Sequence, residues 1–157
     1  MADTPKYKTP RLANVEKLRP EIQNLTPNSQ DPTRITTWKD LGVWKSAHSA
    51  VLRIYALTKS FPSEERYRLV DQLCRAAASV PANIAEGKGR NSLREYLQFL
   101  SIARGSVEEV KYFLLLAKDL SYLSQQDYAE LSDTYDQVGK MLNGLMSSLR
   151  RNLNPKT

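Results

Sequence analysis

From Trp38 onward, apolar positions recur at alternating steps of three and four, in four successive segments. Trp44, Ala47, Val51, Ile54, Thr58 and Phe61 form the first seam, which Pro62 and Ser63 end. Val70, Leu73, Ala77, Val80 and Ile84 form the second. Leu100, Ala103, Val107, Val110, Leu114 and Ala117 form the third. Tyr128, Leu131, Tyr135, Val138, Leu142, Leu145 and Leu149 form the fourth. Such spacing puts each set on one face of a helix. Ser63, followed by Glu64 and Glu65, is expected to cap the second helix, where acidic groups suit the positive end of the helix dipole. Ser92 with Glu95 reads as a capping box for the third, and Ser124 as the cap of the fourth. No segment alternates with the period of a strand. Four amphipathic helices with short connections predict an all-α, up-down-up-down four-helix bundle over residues 38–151, with helices crossing near about 20°. Residues 152–157 form a tail.

The chain is organised around Arg75–Gly89. Small residues before Pro81 leave room for a neighbouring backbone. Pro81 lacks an N–H and is expected to bend or restart the helix, with Ser79 placed to satisfy amide groups near the bend. Gly87 and Gly89 can take positive φ at low cost and are expected to end the helix.

Residues 1–37 differ from this pattern. They hold five of the eight prolines and few large apolar residues, and read as a flexible arm. The net charge of +6 comes from 23 basic and 17 acidic residues and is spread over arm and body. It leaves nucleic acid or an acidic protein as plausible partners. Cys74 is the one cysteine, so the chain forms no internal disulfide. No apolar run approaches the roughly 20 residues that span a bilayer, and a cytoplasmic address is expected.

Candidate chemistry is sparse. His48 is the only histidine, no second thiol accompanies Cys74, and the Glu-x-x-His pairs of a di-metal bundle are absent. Gly87-Lys88-Gly89-Arg90 lacks the spacing of a phosphate loop. No catalytic, metal-binding or cofactor-binding residue is assigned, and a non-enzymatic role is expected. Basic residues carry the binding reading: Arg68 and Arg75 on one helix face, Lys88, Arg90 and Arg94 at the turn between helices two and three, and Arg150 and Arg151 at the end of helix four. Repeated by symmetry in an oligomer, they would form a surface for phosphates; the plainer reading is solvated surface charge. Phe99, Ile102, Phe113, Leu116 and Leu120 form a second apolar stripe on helix three, expected at a subunit contact rather than at the edge of the monomer core. Arg104 is expected to be partly buried beside the core, held by Glu86 or Glu95 with Asn83 nearby, as a structural polar network.

Several runs also resemble a known family. Leu41–His48, Phe61–Tyr67, Arg75–Gly87, Glu95-Tyr96 and Ala103–Ser106 are similar, in order and spacing, to the four-helix-bundle proteins called 23S rRNA intervening-sequence proteins. The resemblance spans about residues 38–151 and leaves out the arm. It implies a bundle that assembles as a homopentamer. It also implies kinship with the accessory variability determinants of diversity-generating retroelements, basic pentamers that bind a reverse transcriptase and nucleic acid. The expectation is therefore a pentameric adaptor for structured RNA and an RNA-handling protein, most specifically a reverse transcriptase. The alternatives are a protein-only scaffold and an intervening-sequence-encoded bundle that binds no nucleic acid.

Overall fold

The computed structural model describes residues 36–153. Among them the chain is all-helical, with four long helices and no strand: α1 (Gly42–Leu57), α2 (Leu69–Lys88), α3 (Leu93–Asp119) and α4 (Gln125–Leu153). α1 packs on α2 and α4, and α3 packs on the same two, so neighbours in sequence are neighbours in space. Short connections make each pair antiparallel. The flexible arm expected over residues 1–37 falls outside the described residues except for Thr36 and Thr37, as does the tail from residue 154.

The third seam is buried in full, from Leu100 to Ala117. The others hold at their centres: Ala47, Val51 and Ile54; Leu73, Ala77, Val80 and Ile84; Leu131, Tyr135, Val138 and Leu142. Toward the ends the packing departs from strict alternation. Trp44, Val70, Tyr128, Leu145 and Leu149 are only partly buried. Met146 takes the buried position in the last turns of α4, because a straight helix of 3.6 residues per turn drifts away from a seven-residue repeat.

α2 starts later than expected. Ser63–Glu65 is a separate 3-10 turn, and α2 opens at Leu69, so Ser63 does not cap it. Arg66, Tyr67 and Arg68 have nothing to bury; Tyr67 is 84% exposed, and Arg68 leaves the helical region at φ −120° and ψ −102°. The first apolar anchor is Leu69, which is where the helix forms.

Pro81 neither breaks nor restarts α2. The helix runs through it, with the ring buried. The Ser79 hydroxyl accepts from Asn83 Nδ2 at 2.9 Å and from Ser106 Oγ on α3 at 2.9 Å, so it ties two helices together rather than capping freed amides. That hydroxyl-to-hydroxyl contact requires close helices, and the small side chains of Ala76, Ala77, Ala103 and Ser106 allow it.

The glycines also work differently. None of the described ones has positive φ. Gly87 lies inside α2, where an added Cβ would stand 2.8 Å from both Phe99 Cβ and Tyr96 Cδ2. Its role is close approach of α2 to α3. The helix ends at Gly89 in ordinary right-handed geometry. Positive φ occurs instead at Ser121 (61°), in the turn from α3 to α4. There the Tyr122 amide bonds Ala117 O at 2.9 Å, as in a Schellman motif.

Two caps are as expected in part or whole. Ser92 Oγ accepts from the Glu95 amide at 3.3 Å, one half of the box. Ser124 Oγ accepts from the Asp127 amide at 3.0 Å and donates to its carboxylate. The sequence reading missed a third: the Asp40 carboxylate accepts from the amides and hydroxyls of Thr36 and Thr37, closing the turn that leads into α1. These bonds, the Thr37 amide first, hold the Asp40 pKa below its ordinary value.

Candidate functional site

The up-down topology brings two chain segments to one end of the bundle: the α2–α3 turn and the C-terminus of α4. Specific contacts fix the registers. Lys111 Nζ lies 2.7 Å from Asp136, and Gly139 faces Val107, which sets α3 against α4. Continued antiparallel, that register places Arg150 and Arg151 level with the first turn of α3, where Arg94 sits. Ser79 on Ser106 and Gly87 on Phe99 set α2 against α3 and put Lys88 at the same level. Gly42 faces Met141, nine residues before Arg150, so the start of α1 points toward this end but stops about 13 Å short of that level on α4.

Five of the seven cations singled out in the sequence therefore share one end: Lys88, Arg90, Arg94, Arg150 and Arg151. Arg68 and Arg75 do not. Arg68 opens α2 at the opposite end, and Arg75 is two turns further along, 3.9 Å from Asp71. Lys39 and Lys45, which the sequence reading passed over, flank the start of α1, where the Trp38–Asp40 turn packs on α2. At the level of the α2–α3 turn the end carries five basic residues, Lys88, Arg90, Arg94, Arg150 and Arg151, against two acidic ones, Glu86 and Glu95.

Most of these cations are uncommitted. Arg90 is the exception, paired with Glu86 and lying over the Phe99 ring at 4.6 Å from its centroid. Lys39 sits over Trp38 at 5.2 Å. Among the described residues no ion pair is formed by Lys45, Lys88, Arg94, Arg150 or Arg151.

The polar network expected around Arg104 does not assemble within the chain. Arg104 is exposed, Glu86 is taken by Arg90, and the Asn83 side chain bonds Ser79 O and Oγ. The position is only a little off the seam, and a guanidinium there reaches solvent at less cost than burial. The second stripe of α3 divides. Phe99 is half-buried beneath Arg90, while Phe113 and Leu116 pack on the core. Ile102 and Leu120 remain 47% and 46% exposed, and Tyr112 and Leu115 add apolar surface on the same helix.

Elsewhere the chemistry is quiet. Among the described residues no three His, Cys, Asp or Glu side chains are grouped to hold a metal ion. Cys74 is half-buried beside Thr58, at 3.8 Å, and burial raises its pKa, so the thiolate is disfavoured. It lines a cleft of about 630 Å³ between the end of α1 and the start of α2, with Tyr55, Phe61, Val70 and Arg66. None of the helices described is long and apolar enough to cross a membrane.

A family model described as 23S rRNA-intervening sequence protein matches residues 39–144. Among solved structures, the chain is similar to a protein of unknown function from the S23 ribosomal protein family of Bacteroides thetaiotaomicron. The two are 24% identical, over 66% of this chain and 97% of the other, with a TM-score of 0.62. No curated protein matches.

Proposed function

Because the chain belongs to the 23S rRNA-intervening sequence protein family, we propose that it is a non-enzymatic adaptor whose basic end binds structured RNA. One observation carries this reading: two separate segments, the α2–α3 turn and the end of α4, deliver five cations to one end, and of these only Arg90 forms an ion pair among the described residues. Unpaired charge of one sign on a rigid end is what a phosphate backbone neutralises, with release of its counterions. In the full reading the protein is a homopentamer, so the cluster is repeated around an axis, and the RNA-handling partner is a reverse transcriptase. The pentamer and that partner rest on the family resemblance. The exposed Ile102, Tyr112, Leu115 and Leu120 on α3 supply the apolar surface that assembly would cover.

The test is fluorescence anisotropy of a labelled RNA hairpin over a salt series. Saturable binding with a steep loss of affinity as salt rises is expected. Absence of binding at low salt would refute the reading and make the charge incidental. Assembly is tested apart from binding: Ile102→Glu, at an exposed position, should reduce the size measured by light scattering while helicity persists, and an unchanged mass would refute the α3 interface.

A further inference from the structure

Both tryptophans of the protein lie together at the start of α1. Trp38, in the turn before α1, meets Trp44 edge to face at 4.6 Å between centroids. Trp44 in turn stacks on His48, one helical turn along, at 4.9 Å and only 10° from parallel. Both indoles are half-buried, while His48 is exposed. The ladder thus starts in the bundle and ends in a ring open to solvent. Lys39 caps the Trp38 ring, and Lys45 follows Trp44 directly on an exposed position.

Pinning the turn to α1 explains the Trp38–Trp44 contact. It does not explain why the stack continues outward to an exposed, nearly parallel imidazole flanked by cations. Aromatic rings that end in solvent between cations are the means by which proteins hold unpaired bases: the rings stack on the base and the cations meet its phosphates. A duplex keeps its bases stacked on each other and offers no free face.

We infer that the Trp38–Trp44–His48 ladder is a stacking platform for an unpaired nucleobase, so the RNA bound by the protein presents a single-stranded segment along the start of α1. This rests on the RNA-binding reading above and narrows its substrate class. His48 is the residue that touches the base, Trp44 stiffens it from behind, and Lys39 and Lys45 hold the adjoining phosphates.

The experiment uses the full chain with two probes of equal phosphate count, an unstructured oligo(A) RNA and an RNA duplex. Anisotropy reports binding. Intrinsic tryptophan emission, which arises only from this ladder, reports stacking. The expected result is tighter binding of oligo(A), with quenching that the duplex does not produce, and a roughly tenfold loss of oligo(A) affinity in His48→Ala with duplex binding unchanged. His48 is exposed, so the variant should fold; an unchanged melting temperature verifies this. Equal affinity for both probes without quenching would overturn the platform and leave the basic end as an RNA site. A preference for oligo(A) that survives His48→Ala without quenching would also overturn it. Failure of both probes to bind would overturn the platform and the RNA-binding reading together.

Discussion

The paired charges along the helices and the cluster at the basic end behave differently. Along the bundle several cations are answered within the chain, whereas Lys59, Arg66, Arg68, Arg104 and Lys140 form no ion pair among the described residues. Arg53 on α1 pairs with Asp127, at 3.0 Å, and with Glu130, both on α4. Lys111 pairs with Asp136 and with Glu108 at 3.6 Å, and Lys118 with Asp119 at 3.0 Å. At the basic end only Arg90 is answered. Equal numbers of charges therefore do different things in the two regions: one set holds carboxylates within the chain, and the other stays open to solvent. Composition alone cannot show this difference.

The largest effect is expected from reversing uncommitted charge. Lys88→Glu with Arg94→Glu should lower RNA affinity about a hundredfold at low salt and make the salt dependence shallower by about two counterions. The melting temperature should hardly move, since neither residue is in an ion pair. Anisotropy and thermal unfolding measured on one sample decide it. Retained affinity would remove the α2–α3 turn from the interface. Arg90 is the wrong residue for this purpose, because its reversal would also disturb Glu86 and Phe99.

Next is the scaffold beneath that turn. Gly87→Ala forces a methyl group to within 2.8 Å of Phe99 Cβ and Tyr96. Overpacking of this kind costs about 1–3 kcal/mol, partly offset by about 1 kcal/mol from the better helix propensity of alanine. A net loss of stability is expected in denaturant titration, together with weaker RNA binding as α2 and α3 separate. A stabilised variant would mean that the close approach is not required.

The paired region should reveal itself through acid. Ser124 and Arg53 lower the Asp127 pKa, Gln126 and Arg53 that of Glu130, and Lys111 that of Asp136. Carboxylates with folded pKa values below their unfolded ones stabilise the fold above about pH 4, and that contribution is lost as pH falls through the folded values. The melting temperature should therefore be level near neutral pH and fall below about pH 4. Arg53→Ala should remove part of that fall and leave RNA binding intact. An identical acid profile in the variant would show that the Arg53 contacts contribute nothing.

How much of this was legible in the sequence depends on the range of the interaction. The seams were, because burial has the period of the helix: Leu100 to Ala117 stand inside as their spacing requires. Local caps were too, since Ser92 and Ser124 act within one turn. What was missed involves a second helix. Gly87 looked like a helix stop, and only Phe99 and Tyr96 across the interface show that it is a point of contact. Ser79 looked like a local cap and became a bridge to Ser106. Arg150 and Arg151 lie far along the chain from Arg94, and only the antiparallel register of α3 and α4 sets them at one level.

The smallest effect, and the cleanest control on the contrast between the two regions, is at Ser121. Its φ of 61° puts an L-residue in the left-handed region, where glycine is at ease and a side chain costs roughly 1 kcal/mol. The turn it makes joins α3 to α4 at the end away from the basic cluster. Ser121→Gly removes that cost but enlarges the conformational freedom of the unfolded chain, which takes back part of the gain. A rise of about 1–3 °C in melting temperature is expected, since about 1 kcal/mol shifts a domain of this size by a few degrees. RNA affinity should stay the same, because the change stiffens no contact at the basic end. If affinity rose along with the melting temperature, general stability and not local charge would be controlling binding, and the division of labour between the two regions would fail.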